Sequence, residues 1–576
     1  MRPRVHGRVW QAARRRGVAP VLVAFAIAFV AYAGALVIIG AQSSGDEPHY
    51  LLEARSLAET GSRDLRDDYA DPARVAWALG GTTPVEPHAF TYGDSDRLIS
   101  IHGVGLPLLL APVAAVTDSV FAMRLWLCML AAAGAALLFD VLRLLGVLRG
   151  AWLWAVWAAG ALSLPAVVFA HAAYPESVGA LCVLVVVRAL LTRPPSTAWM
   201  AAGGVAAAAL PWLHVRFLPV ALGLVLALAV RARRGRALAL AVAPTVVALA
   251  VLGAFWVDWY GSLDPRAPYE VPRFEQTVAS QFGLLYPNAL GTLLSPDYGW
   301  LPWAPVGLIA VAALGWVCWR RGWWAVWGLL LAGGYLVMVG LSNVYPSYNP
   351  PGRFVMLLLP VATLPLAYAV ARWRAARWAF VPLAVLTALW LVVGVTRSEQ
   401  LAPTGTGEPA MALAANLDAP WPKFVWDDRE LNLRHSEGTL TWRGLRLPPA
   451  TYVIAFSVRA ASDVPPDTVV AKLTVRARDA ILQRRPIRAG ELPGGERTFI
   501  EPFRVEEGAG SVDVELTPSG RADVRSGGMQ IVSVRNTLGG ASKVRYADWG
   551  LTAAWVLLLG GLSVAMVVED RRRPVA

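Results

Sequence analysis

Two adjacent carboxylates, Asp46 and Glu47, stand in the string Gly45-Asp46-Glu47-Pro48-His49-Tyr50, just after an apolar run at 18–40. A carboxylate beside apolar surface can have a raised pKa and take a proton from a hydroxyl as a general base. The same place also suits a helix cap, so Asp46 has a structural alternative. His49 and Tyr50 are weaker candidates, Tyr50 being equally suited to anchor at a membrane interface. Further along, His102 sits in Ser100-Ile101-His102-Gly103, where it could meet a phosphate or an acceptor hydroxyl. His171 and Glu176 bracket a tight turn with Tyr174 and Pro175. A carboxylate at Glu176 opens an apolar run, where an ionisable group costs roughly 2.5–3.5 kcal/mol if it lies deep, so it should face a cavity or a partner. It also suits the positive end of a helix dipole.

The cations follow the same logic. His214 and Arg216 lie in a short break between apolar runs, and Arg353 stands in Tyr348-Asn349-Pro350-Pro351-Gly352-Arg353-Phe354. Arginine presents a planar fork that matches phosphate, which makes Arg353 and Arg216 the leading candidates for holding a lipid phosphate; Arg124 is a further one. Snorkelling into lipid headgroups is the structural alternative for each. Asp297, in Leu294-Ser295-Pro296-Asp297-Tyr298-Gly299-Trp300, is either a functional carboxylate or an ordinary turn residue.

The elements that must position these groups are read from hydropathy. The chain has 576 residues, is 56% hydrophobic and only 16% charged, and has a mean hydropathy of +0.48. This is the composition of a polytopic membrane protein. Apolar runs of helix length give twelve expected spans, at 18–40, 120–145, 151–171, 174–191, 198–213, 216–231, 237–258, 302–319, 323–341, 354–371, 378–396 and 547–568. The net charge of +12 is scattered in short clusters between these runs, a topology signal and not a nucleic-acid patch. Arginines at 2–16 place the N-terminus inside. Arg143, Arg188, Arg231, Arg320, Arg372 and the tail Arg571-Arg572-Arg573 then all fall in inner segments. The candidate chemical residues all fall outside. The three cysteines lie in apolar runs, which leaves no disulfide framework or cysteine zinc site.

Three outer segments are long. The first, 42–119, holds a helix-like stretch Tyr50–Thr60 and a short apolar stretch Val104–Val116, expected as an interfacial or re-entrant helix. The second is 259–301. The third, 397–546, alternates with period two over 451–458, 469–476 and 512–516 and is expected to form an extracytoplasmic β-sandwich domain. The domains are therefore 1–396, 397–546 and 547–576, the last a final helix with a basic cytoplasmic tail. There is no phosphate-cradling glycine loop and no His-x-x-x-His zinc pair, so nucleotide chemistry of the soluble type has no support.

Taken together, the acidic pair in a large first outer loop, the motif Ile101-His102-Gly103-Val104-Gly105-Leu106-Pro107, the arginine in Phe121-Ala122-Met123-Arg124-Leu125 and the late Gly352-Arg353-Phe354 resemble the GT-C class of membrane glycosyltransferases. That class includes protein O-mannosyltransferases and the aminoarabinose transferases that modify lipid A. The resemblance covers roughly 18–400 and implies a GT-C-like helical fold, a polyprenyl-phosphate sugar donor and an extracytoplasmic glycan, lipid or protein acceptor. It implies Asp46 as base, with Glu47 beside it, and Arg353, Arg216 and His102 as the groups that stabilise the leaving phosphate. The chain departs from the mannosyltransferases in having no lysine near His102 and no MIR-type domain, which leaves the acceptor class open. A divalent cation is also open, with Asp46, Glu47 and Glu176 as oxygen donors. The competing readings are a flippase for lipid-linked glycans, whose sites would lie midway along broken helices, and a non-catalytic envelope assembly protein.

Overall fold

The computed structural model describes residues 17–40, 43, 46–79, 87–92, 95–269, 291–294, 299–341, 351–396, 431–433, 440–445, 450–460, 464–477, 480–492, 496–505, 511–519, 524–526, 529–533 and 557–570. The chain divides into two compact units, Met1–Ala402 with Thr552–Ala576, and Pro403–Leu551.

The first unit is helical apart from one short antiparallel pair of strands, β1 (Ala89–Phe90) and β2 (Ile99–Ser100). Its main helices are α1 (Ala19–Ile39), α2 (Glu47–Thr60), α3 (Gly105–Val116), α4 (Val120–Leu145), α5 (Gly150–Ala161), α6 (Leu164–His171), α7 (Pro175–Leu191), α8 (Thr197–Leu213), α9 (Leu218–Ala232), α10 (Gly235–Tyr260), α11 (Gly307–Arg321), α12 (Trp323–Leu341), α13 (Leu359–Arg372) and α14 (Arg374–Thr396), with shorter turns of helix at Arg66–Ala70, Pro72–Leu79 and Gly291–Leu294. A last helix, α15, covers 557–570. Among the described residues, five stretches are long and apolar enough to cross a membrane: α1, α4, Val215–Ala232, α10 and α14. The α5–α6 pair makes a sixth, bent by 56°. The bend falls at Leu162 and Ser163, just ahead of the Leu164-Pro165 pair that opens α6, and the proline ring cannot continue a straight hydrogen-bond ladder.

Proline also sets helix starts. Pro48, Pro165, Pro175, Pro219 and Pro360 each stand in the first turn, where a missing N–H costs nothing. Pro48 explains why α2 begins three residues before the expected Tyr50. The expected Val104–Val116 stretch is the twelve-residue α3. It packs on α2, while α1 packs on α4, α7 on α4 and α8, and α8 on α10.

The second unit holds two antiparallel sheets. One has β11 (Met529–Ser533), β5 (Ala450–Ala460), β10 (Val524–Ser526) and β3 (Leu431–Leu433) in that order, with β8 (Glu496–Val505) also paired to β5. The other runs β4 (Leu440–Leu445), β9 (Val512–Pro518), β6 (Val469–Ala477), β7 (Ala480–Arg488). Ile454, Phe456 and Val458 from the first sheet and Leu473, Val475, Val514 and Leu516 from the second share one buried apolar cluster. The expected alternation is clean in β9, where Asp513 and Glu515 face away from the buried Val512, Val514 and Leu516. It blurs in β6, where a register shift lies between Val469 and Ala471 and both Val470 and Ala471 are buried.

Candidate active site

The site is built where short connections meet helix ends. The loop that carries His102 enters α3 through Gly103 and Gly105, which lie against the backbone at the end of α8. A Cβ on Gly105 would come within 2.6 Å of the Trp212 carbonyl carbon. Only glycine permits this approach, and it fixes His102 beside α2. On the other side, Gly352 takes φ +84, and a Cβ there would also meet Pro165 at 2.7 Å. This turn delivers Arg353 into a short 3-10 helix, Arg353–Val355, ahead of α13.

Four segments distant in sequence converge here. Arg353 Nη2 lies 2.8 Å from Asp46 Oδ2, and its Nε donates to Glu176 Oε1 at 2.9 Å. Arg216 Nη2 approaches the same Glu176 oxygen at 3.5 Å. Arg353 stacks over Tyr174, with its guanidinium carbon 4.0 Å from the ring centroid, a cation–π contact that orients the fork. Glu176 and Arg353 are buried, whereas the Asp46 side chain keeps 23% exposure. Asp46 does precede α2 in the N-cap position, but its side chain makes no capping hydrogen bond. The capping alternative therefore does not describe its carboxylate.

Glu47 faces a different way. Its Oε1 pairs with Arg124 Nη1 at 2.8 Å and accepts from the Ala173 N–H at 2.7 Å. Arg124 also donates to the His171 carbonyl at 3.1 Å and to Ser43 Oγ at 3.0 Å. This buried knot joins α2, α4 and the α6–α7 turn. It brings Glu47, Arg124 and His171 together by His171's backbone, and neither ring nitrogen of His171 has a hydrogen-bond partner among the described residues.

A group of imidazoles completes the cluster. His88 Nδ1 stands 3.6 Å from Asp46 Oδ1 and 3.3 Å from His102 Nε2. His49 stacks on His88 with ring centroids 3.9 Å apart, and its Nδ1 meets the Tyr69 hydroxyl at 2.5 Å. Burial lowers the pKa of His102 to about 3, aided by the charges of His88, Arg353 and Arg216 and against the pull of Asp46. Burial likewise holds His49 well below its usual range. The raised pKa expected for Asp46 from sequence is not what the structure gives: burial pushes it up, but Arg353 and then His102 and His88 outweigh burial, so the carboxyl sits far below the ordinary range. Asp46, His88 and His102 each offer a ligand atom within 4.8 Å of the others, a donor set that a divalent cation could use.

Behind this group lies Arg63. It ion-pairs with Glu53, donates from Nη2 to the His102 carbonyl at 3.0 Å, and stacks over Trp259 at 4.1 Å. The Tyr260 hydroxyl donates to the Ser100 carbonyl at 2.8 Å. The His102 segment is thus clamped to the end of α10.

Of the residues expected from sequence, Asp46, Glu176, Arg216 and Arg353 form one ionic cluster, with His102 beside Asp46. His214 ends α8 and accepts from the Arg216 N–H at 3.2 Å, so it shapes the Arg216 turn. Glu47, Arg124 and His171 form the adjoining knot. Asp297 lies outside the described residues. Sequence reasoning missed His88, a lone loop histidine with no pattern around it, and Arg63, whose burial nothing in its polar neighbourhood signals.

No family model matches the chain, and no curated protein matches it. Among solved structures the chain is similar to the crystal structure of ArnT from Cupriavidus metallidurans bound to undecaprenyl phosphate, with TM-score 0.43 and 16% identity over 69% of each chain. It is also similar to that protein in the apo state, with TM-score 0.39 and 17% identity over 69% of this chain and 68% of that one. Likenesses this distant carry no functional weight; the charged cluster does.

Proposed function

We propose that this protein is an integral membrane glycosyltransferase of the GT-C type. It moves a sugar from a polyprenyl-phosphate donor to an extracytoplasmic glycan, lipid or protein, with inversion at the anomeric carbon. The observation that carries this reading is the convergence of Asp46 with Arg353, Arg216 and Glu176. A base and two phosphate-matching cations within one cluster are what transfer from a phosphodiester requires.

In this reading Asp46 takes the proton from the acceptor hydroxyl as its oxygen bonds to the anomeric carbon. The bond from that carbon to the phosphate oxygen breaks, and its electron pair leaves with polyprenyl phosphate. The leaving group gains negative charge, which Arg353 and Arg216, with His102 nearby, are placed to stabilise. Glu47 and Arg124 hold the first loop in place and do not touch substrate. A divalent cation, if used, would be held by Asp46, His88 and His102 and would add positive charge beside the reacting groups.

The twelve-span layout with both termini cytoplasmic belongs to this reading, as does an extracytoplasmic β-sandwich at 397–546 inserted ahead of the final helix. A flippase would place its site midway along broken helices. Here the cluster lies at a helix start, a helix first turn and two 3-10 turns, which favours surface chemistry. The test is an Asp46→Asn variant in the native membrane. Loss of sugar transfer at normal expression, with polyprenyl-phosphate sugar accumulating in lipid extracts, is the expected result; full activity would overturn the assignment.

A further inference from the structure

Arg353 is asked to do two things at once. In the structure its Nη2 is engaged by Asp46 at 2.8 Å and its Nε by Glu176 at 2.9 Å. The functional reading needs the same guanidinium for the donor phosphate and the same carboxylate free for the acceptor. We propose that Asp46 occupies Arg353 in place of the donor anion, so that donor binding takes Arg353 over and releases Asp46 toward the acceptor. This rests on the glycosyl-transfer reading and makes the order of events donor first, acceptor second.

The charge count supports the exchange. Two cations, Arg353 and Arg216, meet two carboxylates, Asp46 and Glu176, so the cluster is balanced by its own side chains. A phosphodiester adds one negative charge, and one carboxylate must then lose its partner. Glu176 is fully buried and contacts both arginines, whereas Asp46 is partly exposed and contacts only one of them. Asp46 is therefore the group that gives way. Its other neighbours are the imidazoles of His88 and His102, at 3.6 Å for His88, which can receive its displaced carboxylate without repelling it. Further polar capacity is already buried here: Arg216 Nε and Glu176 Oε2 have no hydrogen-bond partner among the described residues.

The exchange predicts an effect opposite to that expected of a substrate-binding carboxylate. Removing the Asp46 charge should tighten donor-side binding even as it abolishes transfer. The experiment uses the purified full chain in nanodiscs, with a long-chain polyprenyl phosphate as probe and tryptophan fluorescence or the unfolding temperature as readout. If Arg353 is free about a tenth of the time in the wild type, Asp46→Asn should bind about tenfold more tightly, since apparent affinity scales with the competent fraction. Asp46→Glu, which keeps the charge, should stay near wild type, and Arg353→Gln should bind weakly with or without Asp46→Asn. Asp46→Ser serves as a second neutral variant should Asp46→Asn fail to fold. Unchanged or weaker binding in a folded neutral variant overturns the exchange while leaving the donor assignment standing. No binding by the wild type overturns the donor assignment, and the exchange with it.

Discussion

Asp46 and Glu47 are neighbours in sequence, yet each is claimed by a different arginine, Arg353 at 2.8 Å and Arg124 at 2.8 Å. The peptide between them separates a partly exposed carboxylate from a buried one held by a backbone N–H and an arginine. Their variants should therefore fail in different ways. Glu47→Ala leaves Arg124 buried and unbalanced, which costs about 3–5 kcal/mol; thermal unfolding in detergent should show a large fall. Asp46→Asn should still fold, with a smaller fall in unfolding temperature from the lost Arg353 pairing, and lose transfer by about 10²–10⁴-fold.

Arg353 should be more sensitive to shape than to charge. Arg353→Gln should lower kcat by about 10²–10³-fold, the usual cost of losing one group that meets developing negative charge. Arg353→Lys should recover only part of this, because a lysine cannot reach Asp46 and Glu176 as a fork while stacking on Tyr174. Steady-state kinetics with a polyprenyl-phosphate sugar measures both.

Acid should destabilise the fold, and the sign follows from the histidines. His102 is depressed from 6.5 to about 3 and His49 also lies well below 6.5. Between those values the unfolded chain binds protons that the folded chain refuses, so stability is lost as pH falls from about 6.5 toward 3. Asp46, held below its usual 3.8, adds a loss of the same sign at the acidic end. His102→Gln should flatten the dependence by at most about 1.4 kcal/mol per pH unit. Unfolding temperatures across a pH series check this.

Arg63 should separate stability from activity. Arg63→Met alone leaves Glu53 buried without its partner and should destabilise strongly, whereas Arg63→Met with Glu53→Leu should recover much of the loss. The double variant still lacks the donor to the His102 carbonyl. Its transfer rate should stay low when its unfolding temperature has returned, and a parallel measurement of both quantities tests this.

The helices and the polar breaks between them were legible because hydropathy and proline placement act locally. The run 120–145 became α4 with the same bounds and 237–258 became α10, Gly235–Tyr260, slightly longer at both ends, and Asp46, Glu176, Arg216 and Arg353 stood out because charge is costly next to such runs. Which carboxylate meets which arginine was not legible. The Arg353–Glu176 contact spans 177 positions and depends on how helices pack, which period and composition do not encode. The same holds for Glu47, indistinguishable from Asp46 in sequence until the Ala173 N–H and Arg124 claim it.

The helix at 557–570 is fastened back onto the first unit by its acidic end. Asp570 pairs with Arg372 at 2.6 Å and with Arg320 at 3.2 Å, and Glu569 accepts from the N–H groups of Arg374 and Ala375. The strand-rich segment is therefore a closed excursion of the chain, leaving and rejoining one helical body. A protease that nicks it once produces two polypeptides that remain associated, and only paired cuts on either side could liberate the excursion.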